Sequence, residues 1–143
     1  MSLVEKYNTF LACLEENKDD IEIPVLEEIV QSNKVRIHGN GLDSTGVKIG
    51  LKAGSKRAVR GQYSPSYIKS LERIGRRTSP IDLYLEGNLS NAQKVGKVGS
   101  TNVLLLDPEI TYNGLTSAEL AQVHEENYNT TIYRPTQQQI DDA

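Results

Sequence analysis

Few residues of this chain are both chemically capable and spaced for catalysis. Gly41-Leu-Asp-Ser-Thr-Gly-Val-Lys48 has the outline of a phosphate-binding loop. Such a loop needs lysine directly after its second glycine and then Ser or Thr for magnesium, but Val47 intervenes and Ile49 follows. A tight turn is the better reading. His124-Glu125-Glu126 lacks the second histidine of a zinc-protease helix, and His38 is the only other histidine. His124 lies beside the apolar positions of its helix and reads as a hydrogen-bonded structural residue. The lone Cys13 has no partner for an intramolecular disulfide and sits on an apolar helical flank, where a buried, inert thiol is expected. Asn88-Leu-Ser90 and Asn129-Thr-Thr131 match the glycosylation pattern, which means little without a secretion signal. No recognisable motif frames a carboxylate pair. The sequence therefore leads us to expect no catalytic group, no metal and no cofactor.

Charge is more informative than chemistry. The net charge is −3, yet residues 48–77 hold nine cations against the single acid Glu72, a net of +8. Seven cations and eighteen acids elsewhere leave −11. That asymmetry fits electrostatic complementarity with an anionic partner, or with an acidic face of another copy. Seven tyrosines against one phenylalanine and no tryptophan imply an aliphatic core and partly exposed aromatic surface. No apolar run approaches the roughly 18–20 residues of a membrane span, so no membrane partner is expected.

The elements follow from periodicity and punctuation. Ser2-Leu-Val-Glu5 has capping-box spacing, and Leu3, Val4, Tyr7, Phe10, Leu11 and Leu14 form one helical stripe. Acids at Glu15, Glu16, Asp19 and Asp20 should stop that helix near 17–20. A second helix is expected from Pro24 to about Ser32, and Val35-Arg-Ile-His38 as a short strand. Val47, Ile49 and Leu51 alternate as in a strand, and residues 52–62 read as a mobile basic loop. Ser64 and Pro65 open a helix carrying Tyr67, Ile68, Leu71 and Ile74; Gly75 stops it, and Arg76 and Arg77 follow. Ile81, Leu83 and Leu85 alternate with Asp82 and Tyr84 as on a half-buried strand, which would join strands at 92–98 and 102–106 in a meander. Thr116-Ser-Ala-Glu119 caps a helix to about Asn127, 129–133 is a last short strand, and Thr136 starts a terminal polar helix.

The expected fold is α+β: helices on a small antiparallel sheet, in one domain over 1–143. Its parts are a helical N-terminal portion (1–33), the basic loop (52–62), a central sheet (81–106) and a C-terminal helix, strand and tail (116–143). Residues 52–62 and 128–143 should be poorly ordered in an isolated subunit and order on assembly.

The order of motifs resembles that of tailed-phage neck proteins, the tail-completion or head–tail joining family related to phage virion-morphogenesis proteins. The resemblance runs through Tyr63-Ser-Pro-Ser-Tyr67, Arg73-Ile-Gly-Arg-Arg-Thr78, Ile81–Leu89, Ala118–His124 and Arg134-Pro135. Leu83, Gly87 and Leu89 occupy a Leu-x-x-x-Gly-x-Leu turn, Ala121 and His124 an Ala-x-x-His helix, and Arg134-Pro135 a C-terminal Arg-Pro. The chain departs from that pattern at Glu86, where Thr or Ser is usual, and at Glu126-Asn127, where a glycine-rich loop is usual. The resemblance implies a virion protein, made in the host cytoplasm, that assembles as a homo-oligomeric ring of sixfold or twelvefold order at the portal-to-tail junction. Implied partners are portal, adaptor or tail proteins, with DNA in the lumen as a further candidate. Expected interface residues are Lys56, Arg57, Arg60, Tyr63, Arg73, Arg76, Arg77, Tyr128, Tyr133 and Arg134. The runner-up is a small nucleic-acid-binding regulatory module using 52–77, against which stand the overall acidity and the lack of recognition or stacking motifs.

Overall fold

The computed structural model describes residues 1–50, 62–84 and 87–143. The basic loop, with Lys52, Lys56, Arg57 and Arg60, and the strand residues Leu51 and Leu85 therefore lie outside the described residues. Within them the fold is α+β, with helices α1 (Leu3–Glu16), α2 (Lys18–Lys34), α3 (Pro65–Arg73), α4 (Asn88–Ala92), α5 (Ser117–Tyr128) and α6 (Gln137–Asp141). Strands β1 (Gln93–Val98) and β2 (Thr101–Leu106) form one antiparallel hairpin, and β3 (Thr111–Tyr112) and β4 (Leu115–Thr116) a second, minimal one.

Local signals set the helix starts. Ser2 accepts from the Glu5 amide while the Glu5 side chain returns to the Ser2 amide, and Thr116 with Glu119 repeats the arrangement at α5. Thr136 with Gln139 does the same at α6. At α3 the Ser64 hydroxyl does not cap as expected; it lies 3.4 Å from the Ser66 hydroxyl, leaving Pro65 as the N-terminal determinant. The α3 stop is as read: Gly75 adopts φ +67, its N–H reaches the Glu72 carbonyl at 3.0 Å, and the Arg76 N–H reaches that of Leu71 at 2.8 Å.

The N-terminal helices differ from expectation at their junction. α1 ends at Glu16, but Asn17 (φ −101) breaks the helix for a single residue and α2 restarts at Lys18, well before Pro24. Asp19 and Asp20 thereby move from an unfavourable C-terminal turn into a first turn, where the helix dipole favours them. Pro24 removes the bond to the Asp20 carbonyl, and both residues are exposed, so water can serve that oxygen. The apolar stripe of α1 faces solvent along its whole length, and Cys13 is exposed rather than buried.

Four expected strands are absent among the described residues. Residues Val35–Gly39 extend α2 as a π-helical turn, with the Asn40 N–H on the Val35 carbonyl at 2.9 Å. The widened turn buries Arg36, Ile37 and His38 in succession, which strand alternation forbids. Near 47–49 only an isolated bridge, Leu42 with Lys48, forms. Residues 81–84 are irregular, with Leu83 at φ +52 after a cis Ser79–Pro80 bond, and 129–133 also lack strand pairing. The meander is thus a two-stranded hairpin, registered Gln93 to Leu106 and Val98 to Thr101, with Gly99 (φ +64) opening its turn. It packs on α2, where Asn102 donates to Asp19 and Glu22 at 3.0 and 2.8 Å and Lys97 pairs with Asp19.

The core sits elsewhere, between the π turn, α3 and the irregular segments. It comprises Ile37, Ile49, Tyr63, Leu71, Ile81 and Ile132, with Ile68, Leu83, Tyr128 and Tyr133 packed around it. Leu104 is only half-buried on the hairpin. Asp82, expected on a solvent-facing strand edge, is buried.

Candidate functional site

Three features meet around α3: a network of buried polar groups beneath it, a tyrosine-walled cleft beside it, and a basic surface at its end. The buried network begins at Arg36. Its Nε donates to Gln139 Oε1 at 3.0 Å and Nη1 to the Leu42 carbonyl at 2.8 Å. Nη2 reaches the Ile132 and Arg134 carbonyls at 2.7 and 2.9 Å and the Asn33 side chain. Desolvation lowers the guanidinium pKa to about 10, an effect the nearby Asp43 charge partly offsets, so it remains charged at neutral pH.

Asn33 also donates to Gln93 Oε1 at 2.9 Å and to the Tyr133 carbonyl at 2.8 Å. His38 Nδ1 lies 2.8 Å from the Asp82 carbonyl, which can only accept, so Nδ1 carries the proton. Its Nε2 must then accept from Gln93 Nε2, 3.1 Å away. Tyr63 Oη donates to Asp82 Oδ1 at 3.0 Å and accepts from the Asp82 and Leu83 amides at 3.2 and 2.9 Å. Arg77 completes the chain, pairing with Asp82 Oδ2 at 3.1 Å and donating to the His38 and Gly39 carbonyls at 2.8 and 3.1 Å. These residues fix irregular backbone, which is why 81–84 holds its shape without a sheet.

A protonated His38 would present two donors and oppose the Gln93 amide. Burial accordingly lowers its pKa below the ordinary 6.5, although the Asp82 carbonyl and carboxylate act the other way; the Lys34 and Arg36 charges add to the lowering. Below pH 6.5 the unfolded chain binds a proton that the folded chain resists. The stability linked to His38 is thus complete above that pH and is lost as pH falls through the lowered folded value. Urea midpoints should decline from pH 7 to pH 5 in the native protein, and this slope should flatten in His38→Asn. An unchanged slope would assign the decline to other groups.

A second anchor lies at Asp43, whose Oδ1 accepts from the Thr45 amide and hydroxyl at 2.9 and 2.7 Å and whose Oδ2 accepts from Thr130 at 2.9 Å. Burial alone would raise this carboxyl, but those bonds outweigh it and hold its pKa below the usual value. The loop with a phosphate-binding outline is therefore closed on its own aspartate. Glu125 of α5 accepts from the Ile132 and Tyr133 amides at 2.7 and 3.1 Å. In the segment after α5, expected to be poorly ordered alone, Thr130–Arg134 and Gln139 bond to residues 32–44 and Glu125, whereas the other polar side chains of α6 bond only within 137–142.

The cleft, about 620 Å³, opens between α3 and α5 and is walled by Tyr63, Tyr67, Tyr112, Tyr128, Leu89 and Leu120. The Tyr63 and Tyr67 rings meet edge to face at 5.0 Å. His124 reaches the cleft wall and bonds Tyr133 Oη through Nδ1 at 2.9 Å. Among the described residues no group of three His, Cys, Asp or Glu side chains is placed to hold a metal ion.

The expected interface residues thus separate. Arg73 and Arg76 are exposed at the end of α3, alongside Lys69, and among the described residues none of the three forms an ion pair. Arg77 is engaged within the chain, and neither it nor Arg76 caps α3 with its side chain. Tyr63 is a core residue, only 7% exposed, and not a surface one. Tyr128 and Tyr133 are half-buried against the core, and Arg134, exposed, lends its carbonyl to Arg36. Sequence reasoning missed Asn33, Arg36, His38, Asp82 and Gln93. The apolar neighbours Val35 and Ile37 were the one available signal, and a strand reading turned Arg36 outward.

No protein-family model, no curated protein and no solved structure matches this chain.

Proposed function

We propose that this chain is a non-catalytic structural subunit of a tailed-phage neck, a ring-forming protein of the head–tail connector. The observation that carries the docking role is the exposed row Lys69, Arg73 and Arg76, which finds no acid to pair with among the described residues. The exposed surfaces of α2 and α6 carry the opposite sign, with Asp20, Glu27 and Glu28 on one and Asp141 and Asp142 on the other. A basic face on one copy and an acidic face on the next make a heterologous contact, which closes into a ring when the rotation permits. The phage assignment itself rests on the motif resemblance.

Charge reversal at Arg73 and Arg76 together tests the docking role. The exposed side chains make no structural bonds, so circular dichroism should stay native while the assembled species in native mass spectrometry is lost. Truncating desolvated interface charges commonly costs about 2–5 kcal/mol, whereas rim charges matter little. A native protein that is monomeric and binds DNA with strong salt dependence would replace this reading with the nucleic-acid module.

A further inference from the structure

The face of α1 is an exposed apolar feature that the basic surface does not use. Leu3, Val4, Tyr7, Phe10, Leu11 and Leu14 are between 42% and 83% exposed, and no residue of α1 is buried. We propose that this face pairs with the same helix of a second copy in an antiparallel, two-fold arrangement. The pairing stands apart from the phage reading, since it holds equally for a free dimer.

Spacing, area and charge each support that occupant. Leu3, Tyr7, Phe10 and Leu14 follow the alternating four-and-three spacing of a coiled-coil seam. Turned antiparallel about a point between Asn8 and Thr9, the seam forms self-matching layers. Leu3 meets the partner's Leu14, and Tyr7 meets the partner's Phe10. Val4 and Leu11 widen the seam along one flank. The six residues expose on the order of 700 Å², above the roughly 300–600 Å² of the largest patch on a typical monomer; a seam that buries most of it gives an interface below the roughly 800 Å² per partner of the standard size.

Direction follows from charge. Glu15 and Glu16 occupy the last turn of α1, where the helix's own dipole opposes them, and that turn holds no basic residue. An antiparallel partner lays the positive end of its helix dipole along this acidic end, Glu5 and Lys6 there offsetting each other. A parallel partner would set acid against acid. The same acids, with a single lysine in α1, disfavour an anionic lipid surface as the occupant.

The test uses the full chain carrying Arg73→Glu and Arg76→Glu, so that contacts through the basic face do not contribute. Sedimentation should give a dimer, and adding Phe10→Glu should weaken it at least about thirtyfold while circular dichroism stays native, because α1 buries nothing. A monomer before Phe10→Glu is added, or a dimer indifferent to that change, overturns the proposal. Direction is read by mixing a Leu3→Cys protein with a Leu14→Cys protein, both also Cys13→Ser, under oxidation. The antiparallel pair yields the mixed disulfide between positions 3 and 14; disulfides formed only between like proteins would establish a parallel pair and overturn it. A monomer that instead sediments with neutral lipid vesicles would assign the face to a membrane surface.

Discussion

Arg36→Met is expected to destabilise the protein by about 3–5 kcal/mol, because several buried acceptors lose one shared donor at once. The methionine fills much of the volume but donates nothing. The carbonyls of Leu42, Ile132 and Arg134 and the side chains of Asn33 and Gln139 then lose a charged donor together. Each buried acceptor left unsatisfied costs about 1–3 kcal/mol where water cannot replace the donor. Lysine should fare little better, since one ammonium cannot reach acceptors that a planar fork spans. With a total stability typical of small domains, about 5–15 kcal/mol, the variant stands near the edge of folding. A urea melt decides the matter: a midpoint within error of the native protein's would show the network to be dispensable.

Gly41→Ala should be comparably damaging, for a reason of space and backbone together. Gly41 adopts φ +66, where an L side chain costs roughly 1–2 kcal/mol. A Cβ there would also lie 2.4 Å from the Ile81 carbonyl oxygen and 2.8 Å from Pro80 Cβ. Neither neighbour can yield easily, because one is backbone and the other a ring. The expected loss is about 3 kcal/mol or more, read as a fall in thermal midpoint. Gly46→Ala is the internal control: its φ is +79 but a Cβ meets nothing within 4 Å, so only the backbone cost should appear. Equal losses at the two positions would mean that the approach of 81 to 41 is looser than described.

How much of this was legible in the sequence depends on the range of the interaction involved. The capping boxes at Ser2 and Thr116, the helix start at Thr136, the Gly75 stop and the β1–β2 hairpin are set by groups within a few residues, and they were readable. Among the described residues, strands were misread at 35–38, 47–49, 81–84 and 129–133: the first is helical, and in the others alternation marks any extended stretch and cannot reveal what fastens it. At 82–83 the fastener is the Tyr63 hydroxyl, some twenty residues away; at 132–134 it is Arg36. The α1 stripe was seen correctly as one face. Its burial did not follow, because nothing else in the described chain covers it, and Cys13 is exposed for the same reason. At the candidate site, Arg73 and Arg76 were read as exposed and are so, whereas Tyr63, read as surface, has its hydroxyl committed inside.

The stitching of residues 33–43 to residues 130–139 also orders events in time. On a ribosome, α1, α2 and the π turn emerge long before the carbonyls that Arg36 needs. Contacts some hundred residues apart in sequence carry a loop-closure cost that nearer pairings do not, so they form late. The hairpin, closed by a two-residue turn and resting on α2, can form while synthesis continues. Until residues 130–139 have been made, the nascent chain holds a guanidinium with only its Leu42 and Asn33 acceptors, beside an Ile37 whose eventual neighbour Ile132 is still missing. Nascent chains stopped short of residue 130 should therefore stay protease-sensitive around 33–43, and native protection should arrive as one late step.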